Sequence, residues 1–219
     1  MLDFRPGAGG KLGLEIAARA ANDGYTVFLG AQGTMAVLPA LFKRLPFNPD
    51  KDFAPVALLV RSHYLLLLNP AVPANTVKEL IALIGAKPGQ FSYASVGAGS
   101  SGHFAGEMFK RAAKLDVVHV PYKGETPAIT GLIGGETQLM FSLPVAPAPH
   151  IKAGRIKAIA IAAQQRSPVN PDLPTFEESG VPDFNVATWF GMMTLAGVPP
   201  AVVARLNAEI NRILKLEEV

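Results

Sequence analysis

Residues 91–103 read FSYASVGAGSSGH. Phe91, Ser92, Tyr93 and Ala94 have the β-branched and aromatic bias of a short strand. Ser95, Gly97, Gly99, Ser100, Ser101 and Gly102 then break it. From His103 to Ala113 the pattern turns helical, with Phe104, Met108 and Phe109 on one face. A strand that runs through a Gly/Ser loop into a helix start gathers backbone N–H groups, hydroxyls and a positive dipole end at one point. Such a point suits an anionic group such as a carboxylate, with no charged side chain needed. The candidate contacts are the Ser95, Ser100 and Ser101 hydroxyls and the backbone at Gly97 and Gly99. His103 sits at the start of the helix.

Outward from this loop, strands and helices alternate. Strands are expected at 25–30, 53–60, 64–68, 117–120, 138–141, 155–162 and 185–195, and helices at 12–21, 73–86, 126–133 and 199–216. The 25–30 strand (YTVFLG) is apolar without interruption and reads as buried. The alternation argues for an α/β architecture with parallel sheets. In such sheets ligands bind at the carboxyl ends of strands. Three other loops follow strands. One holds Gln32 and Thr34, one opens with Tyr122, and one begins at Ser142. The glycine-rich RPGAGG at 5–10 precedes the first helix but lacks P-loop spacing.

The 219 residues are 49% hydrophobic and 17% charged, enough for a sizeable core, with a net charge of +3. Basic residues do not cluster, so no nucleic-acid surface is expected. With no cysteine, disulfides, thiolate chemistry and cysteine metal sites are excluded. The four histidines show no ligand spacing, and no metal or cofactor is expected. No apolar run reaches membrane-spanning length. No G-x-S-x-G elbow is present and no pair of acids follows a strand, so binding without catalysis is the expectation.

Seven segments in order carry a family resemblance: RPGAGG at 5–10, DGYTVFLG at 23–30, LPFNPDKDFAPVALL at 45–59, FSYASVGAGSSGH, VVHVPYKG at 117–124, PHIKAGRIKAIAI at 149–161 and ATWFGMM at 187–193. Together they resemble the Bug (TctC) family of periplasmic solute receptors for tripartite tricarboxylate transporters. The resemblance implies a type II periplasmic-binding-protein fold of two lobes joined by crossing strands. It maps one lobe to 1–60 plus 164–219 and the other to 61–163. It implies capture of a small carboxylate, with Gln32, Thr34, Ser95, Gly97, Gly99, Ser100, Ser101, His103, Tyr122 and Ser142 as ligand contacts. Delivery to a membrane permease in the periplasm would follow; a sensory receptor for the same ligands is the alternative. Family members begin with a signal peptide and a first βα unit. Neither is in this chain as written, which reads as N-terminally truncated, and a non-functional fragment is the other alternative. Many members carry Asp where Ser142 stands. Serine there implies loss of a negative charge and a ligand without an ammonium group.

Overall fold

The computed structural model describes residues 2–5 and 10–216. Residues 6–9, the middle of the expected glycine loop, lie outside the described residues. The chain divides into two compact units, Met1–Arg61 with Thr188–Val219, and Ser62–Ala187.

The first unit holds α1 (Lys11–Ala17), β1 (Val27–Ala31), a π-helical turn (Gly33–Val37) running into α2 (Leu38–Leu41), and α3 (Pro49–Asp52). It also holds most of β2 (Phe53–His63) and β8 (Ala187–Leu195), and α8 (Pro200–Ile213). The sheet order is β1-β8-β2, with β1 antiparallel to β8 from Val27 opposite Thr194 to Ala31 opposite Phe190. Asn48 caps α3 by accepting from the N–H groups of Asp50 and Lys51, with Pro49 in the first turn. The core is small: Leu14, Ala17, Phe47, Phe53 and Met193, with Phe28 packed edge-on to Phe53 at 4.8 Å. The expected buried strand at 25–30 is corrected here. Tyr25 is 92% exposed and precedes β1, and within β1 Val27 and Leu29 are exposed at 41% and 57%. The reason is placement. β1 ends the sheet order, and only Phe28 and Gly30 turn toward the core.

The second unit holds β3 (Leu65–Leu68), α4 (Val77–Gly85), β4 (Ser92–Ser95), α5 (Ser101–Ala113), β5 (Val118–Pro121), α6 (Glu125–Gly134), β6 (Leu139–Ser142), α7 (Ala148–Lys152) and β7 (Lys157–Ile161). The sheet order is β5-β4-β6-β3-β7. Only part of it is parallel. β4 runs with β5 and β6, whereas β3 is antiparallel to both β6 and β7. Alternation of strands and helices along the chain does not settle which strands pair, and β3 inserts between β6 and β7.

All four leucines of β3 are at most 2% exposed. Alternate residues face opposite sides of the sheet. Leu66 and Leu68 pack with Tyr93, Phe109, Phe141 and Phe176, while Leu65 and Leu67 pack with Ile129, Leu132, Met140 and Ile161. Burying each leucine contributes about 1.5–3 kcal/mol. Residues 164–187, which the family mapping assigns to the first lobe, belong to this unit. Phe176, Val181, Phe184 and Val186 sit in the core with Phe109 and Phe141, and the rings of Phe176 and Phe184 are 4.2 Å apart.

Candidate functional site

The three parallel strands β4, β5 and β6 end at Ser95, Pro121 and Ser142. Because the strands are neighbours and co-directional, these ends share one sheet edge. The Tyr122 N–H donates to the Ser95 carbonyl at 2.8 Å and ties the exits of β4 and β5 together. The 96–100 loop, the 122–124 turn and the start of the β6 exit therefore gather in one place, with the N-termini of α5 and α6 beside them. Of the predicted residues, Ser95, Gly97, Gly99, Ser100, Ser101, His103, Tyr122 and Ser142 belong to this edge of the second unit. Gln32 and Thr34 follow β1 in the first. There, Thr34 is buried and its Oγ1 donates to the Ala31 carbonyl at 3.0 Å while accepting from the Ala31 N–H.

The loop after β4 is held by its own side chains. Gly97 and Gly99 take φ values of 133° and 82°, a region that L side chains rarely adopt. Ser95 Oγ accepts from the Gly97 N–H at 3.2 Å and donates to the Gly97 carbonyl at 3.1 Å. Ser100 caps α5, its Oγ accepting from the His103 N–H at 3.2 Å. The Ser100 N–H reaches the Gly97 carbonyl, and the Gly99 N–H donates to His103 Nδ1 at 3.1 Å. The sequence implied open N–H donors here. The structure gives the N–H groups of Gly97, Gly99, Ser100 and His103 acceptors within the chain. An incoming carboxylate at Gly99 has to take that N–H from the His103 imidazole. Gly102 lets α5 sit close to the sheet: a Cβ there would lie 2.9 Å from the Phe141 carbonyl oxygen.

His119 lies opposite Tyr93 in the parallel register of β4 and β5. Its ring packs against both Tyr93 and His103, with centroids 4.9 and 4.1 Å away, and those two rings are 6.5 Å apart. His119 Nε2 is 2.7 Å from Ser95 Oγ. Which of the two atoms donates is set by the tautomer of the imidazole. Burial pushes His119 down to about 4, and the neighbouring His103 adds to the effect. Burial also lowers His103, partly opposed by Glu107. Tyr93 Oη donates to Glu107 Oε1 at 2.7 Å, and burial followed by that bond raises the Tyr93 pKa. Glu107 feels burial in the opposite sense, but hydrogen bonds from Lys110 and Tyr93 carry it below the usual carboxylate range.

Two polar contacts at the other strand ends were not legible in the sequence. Tyr122 Oη donates to Glu136 Oε2 at 2.9 Å, so the tyrosine packs over α6 beside Gly131 and its hydroxyl is engaged there. Ser142, 2% exposed, donates to Glu125 Oε1 at 2.5 Å. Glu125 opens α6 and lies seventeen positions from Ser142 in sequence. The end of β6 thus has a carboxyl group beside it, that of Glu125. Among the described residues no group of three or more His, Cys, Asp or Glu could hold a metal ion.

Residues 1–216 match the family described as tripartite tricarboxylate transporter family receptor, TctC. Three solved structures are similar. The chain is 30% identical to Rpa4515 of R. palustris with adipate, with TM-score 0.96 over 100% of this chain and 73% of that one. It is 37% identical to MatC (Rpa3494) from Rhodopseudomonas palustris with bound malate, with TM-score 0.91 over 97% of this chain and 72% of that one. It is 33% identical to the periplasmic binding protein BugD, with TM-score 0.92 over 97% of this chain and 71% of that one. Curated relatives in a Pseudomonas strain and in Bordetella pertussis are each 33% identical, and the chain spans 65% and 66% of their length.

Proposed function

The chain belongs to the tripartite tricarboxylate transporter receptor family, TctC, and from that premise we propose that it is a periplasmic receptor that captures a small carboxylate for delivery to a membrane permease. The family consists of solute-binding receptors, not enzymes, and the α/β fold is that of its periplasmic relatives. Among the described residues no helix is long and apolar enough to cross a membrane.

The observation that carries the proposal is the carboxyl edge of β4, β5 and β6. The loop from Ser95 to Ser101 leads into the start of α5, a place where a carboxylate that displaces an internal acceptor is held by hydrogen bonds and the helix dipole. The adipate and malate in the two similar structures are small carboxylates. Binding has a built-in competition. The ligand oxygen replaces His103 Nδ1 as the acceptor for the Gly99 N–H. Because both are acceptors, the exchange leaves no donor unpaired, and the charge-assisted hydrogen bond to the carboxylate is the stronger of the two.

Thermal unfolding of the 219-residue chain with adipate, malate and succinate tests this. A ligand at 100 times its Kd stabilises the native state by about 2.7 kcal/mol. A rise in Tm with at least one acid is expected, and its loss in Gly99→Ala. That glycine's φ of 82° excludes an unstrained alanine. An unmoved transition across the three acids and aspartate overturns the proposal.

A further inference from the structure

The edge that carries the candidate site has two unlike halves. After β4 it presents the Ser100 hydroxyl and the Gly99 N–H, which a ligand oxygen takes over from His103 Nδ1. After β6 it presents an oxygen acceptor. Ser142 is buried, its hydroxyl proton goes to Glu125 Oε1 at 2.5 Å, and the Leu143 carbonyl at 3.1 Å is its other acceptor. Nothing remains on Ser142 to donate to a ligand. Glu125 is half-buried in the first turn of α6, and among the described residues no lysine, arginine or histidine pairs with it. An ionised carboxylate only accepts hydrogen bonds. A group approaching the end of β6 therefore meets a carboxylate that, among the described residues, has no cationic side chain paired with it. Adjacent strands lie about 4.8 Å apart, so the two halves are within reach of one small molecule.

We propose that Glu125, fixed in place by Ser142, is a specificity residue that selects carboxylic acids bearing an ammonium or hydroxyl donor over plain carboxylates of the same length. The ligand's carboxylate takes the donor half, and its ammonium or hydroxyl donates to Glu125. A second bare carboxylate at that position faces like charge. This reverses the expectation drawn from Ser142 alone, because the carboxylate arrives from α6 and not from the strand. The inference rests on the carboxylate-receptor reading above.

The test is calorimetric titration of the full 219-residue chain at pH 7 with three acids of equal carbon length: aspartate, malate and succinate. A hydrogen bond to a charged group changes affinity by about tenfold or more. Binding is expected to weaken in the order aspartate, malate, succinate, with succinate at least about tenfold below aspartate. Glu125→Gln, which keeps an acceptor for Ser142, is expected to bring the three within about threefold of one another. Ser142→Ala retains the charge but frees the side chain, and an intermediate ratio is expected. Circular dichroism at 222 nm checks that both variants fold. Succinate binding as tightly as aspartate overturns the specificity proposal and leaves the receptor reading intact. So does an ordering that survives Glu125→Gln. If none of the three binds and adipate also fails, the receptor reading falls and this proposal with it.

Discussion

β3 and β1 are both uninterrupted apolar strands in the sequence, and the fold treats them in opposite ways. β3 lies inside a five-stranded sheet, and Leu65–Leu68 face two cores, one on each side. β1 ends a three-stranded sheet whose single small core takes Phe28 and leaves Val27 and Leu29 exposed. On β2 of the same sheet Leu58 and Val60 are exposed as well, and no residue of α8 is fully buried. An apolar run thus identifies a strand. Whether both of its faces are covered depends on what the rest of the chain brings to it.

The contrast is broken most directly in the two cores. Phe176→Ala and Leu66→Ala should each lower stability by about 3–5 kcal/mol, because the neighbouring rings and leucines cannot close the cavity. Leu29→Ala, by comparison, should stay within about 0.5 kcal/mol. Urea unfolding of the three variants measures both, and equal losses in the two units would remove the distinction drawn here.

A pair of helix glycines sharpens it. A Cβ at Gly106 of α5 would collide with the Tyr93 ring, whereas at Gly13 of α1 the nearest atom would be the Arg5 carbonyl oxygen at 3.7 Å. Gly106→Ala should cost about 1–3 kcal/mol through overpacking. Gly13→Ala should gain about 0.5–1 kcal/mol through helix propensity. The same sign for both, read from chemical denaturation, would mean that the units are packed alike. Below these comes Ser100→Ala, where loss of the N-cap should cost about 1 kcal/mol. A melting temperature equal to that of the parent chain would show that the cap bond contributes nothing.

The smallest effect at neutral pH belongs to the histidine stack. Folding lowers His119 to about 4 from an ordinary 6.5, so between those values the unfolded chain binds the proton and the folded one does not. Stability then rises with pH across that window and is lost as pH falls through it. Melting temperatures from pH 7 to pH 4 should decline, and His119→Phe should flatten the lower part of the curve. An unchanged slope in that variant would assign the acid sensitivity to other groups. The first unit contains no histidine, so the comparison extends to pH.

Much of the candidate site was visible along the chain because its geometry is local. Gly97 and Gly99 take positive φ, Ser100 caps the helix that follows, and Gly135 caps α6 in the left-handed conformation, all within a few residues of the signals that announce them. The partners were not visible. His119 meets Ser95 from twenty-four positions away and Glu125 meets Ser142 from seventeen. Nothing in the periodicity of VVHVP or in the turn after Lys123 identifies those partners, since each depends on strand register. Tyr122 shows the same effect in reverse: it follows a strand as a ligand contact would, but its hydroxyl is engaged by Glu136.

What the sequence determined by itself is what short-range forces decide: the α/β succession of elements, the helix caps, the glycine loop, and the order of segments that marks the family. Tertiary structure alone decided which strands run parallel, which apolar faces are covered, that residues 164–187 pack with the second unit, and that a glutamate stands where the strand offers a serine. Helix caps and turns form between atoms a few bonds apart along the chain, so residue type is enough to specify them. Strand pairing and burial join segments distant along the chain. Their outcome is set by competition among many apolar faces for the same cover, and no window of sequence contains that competition.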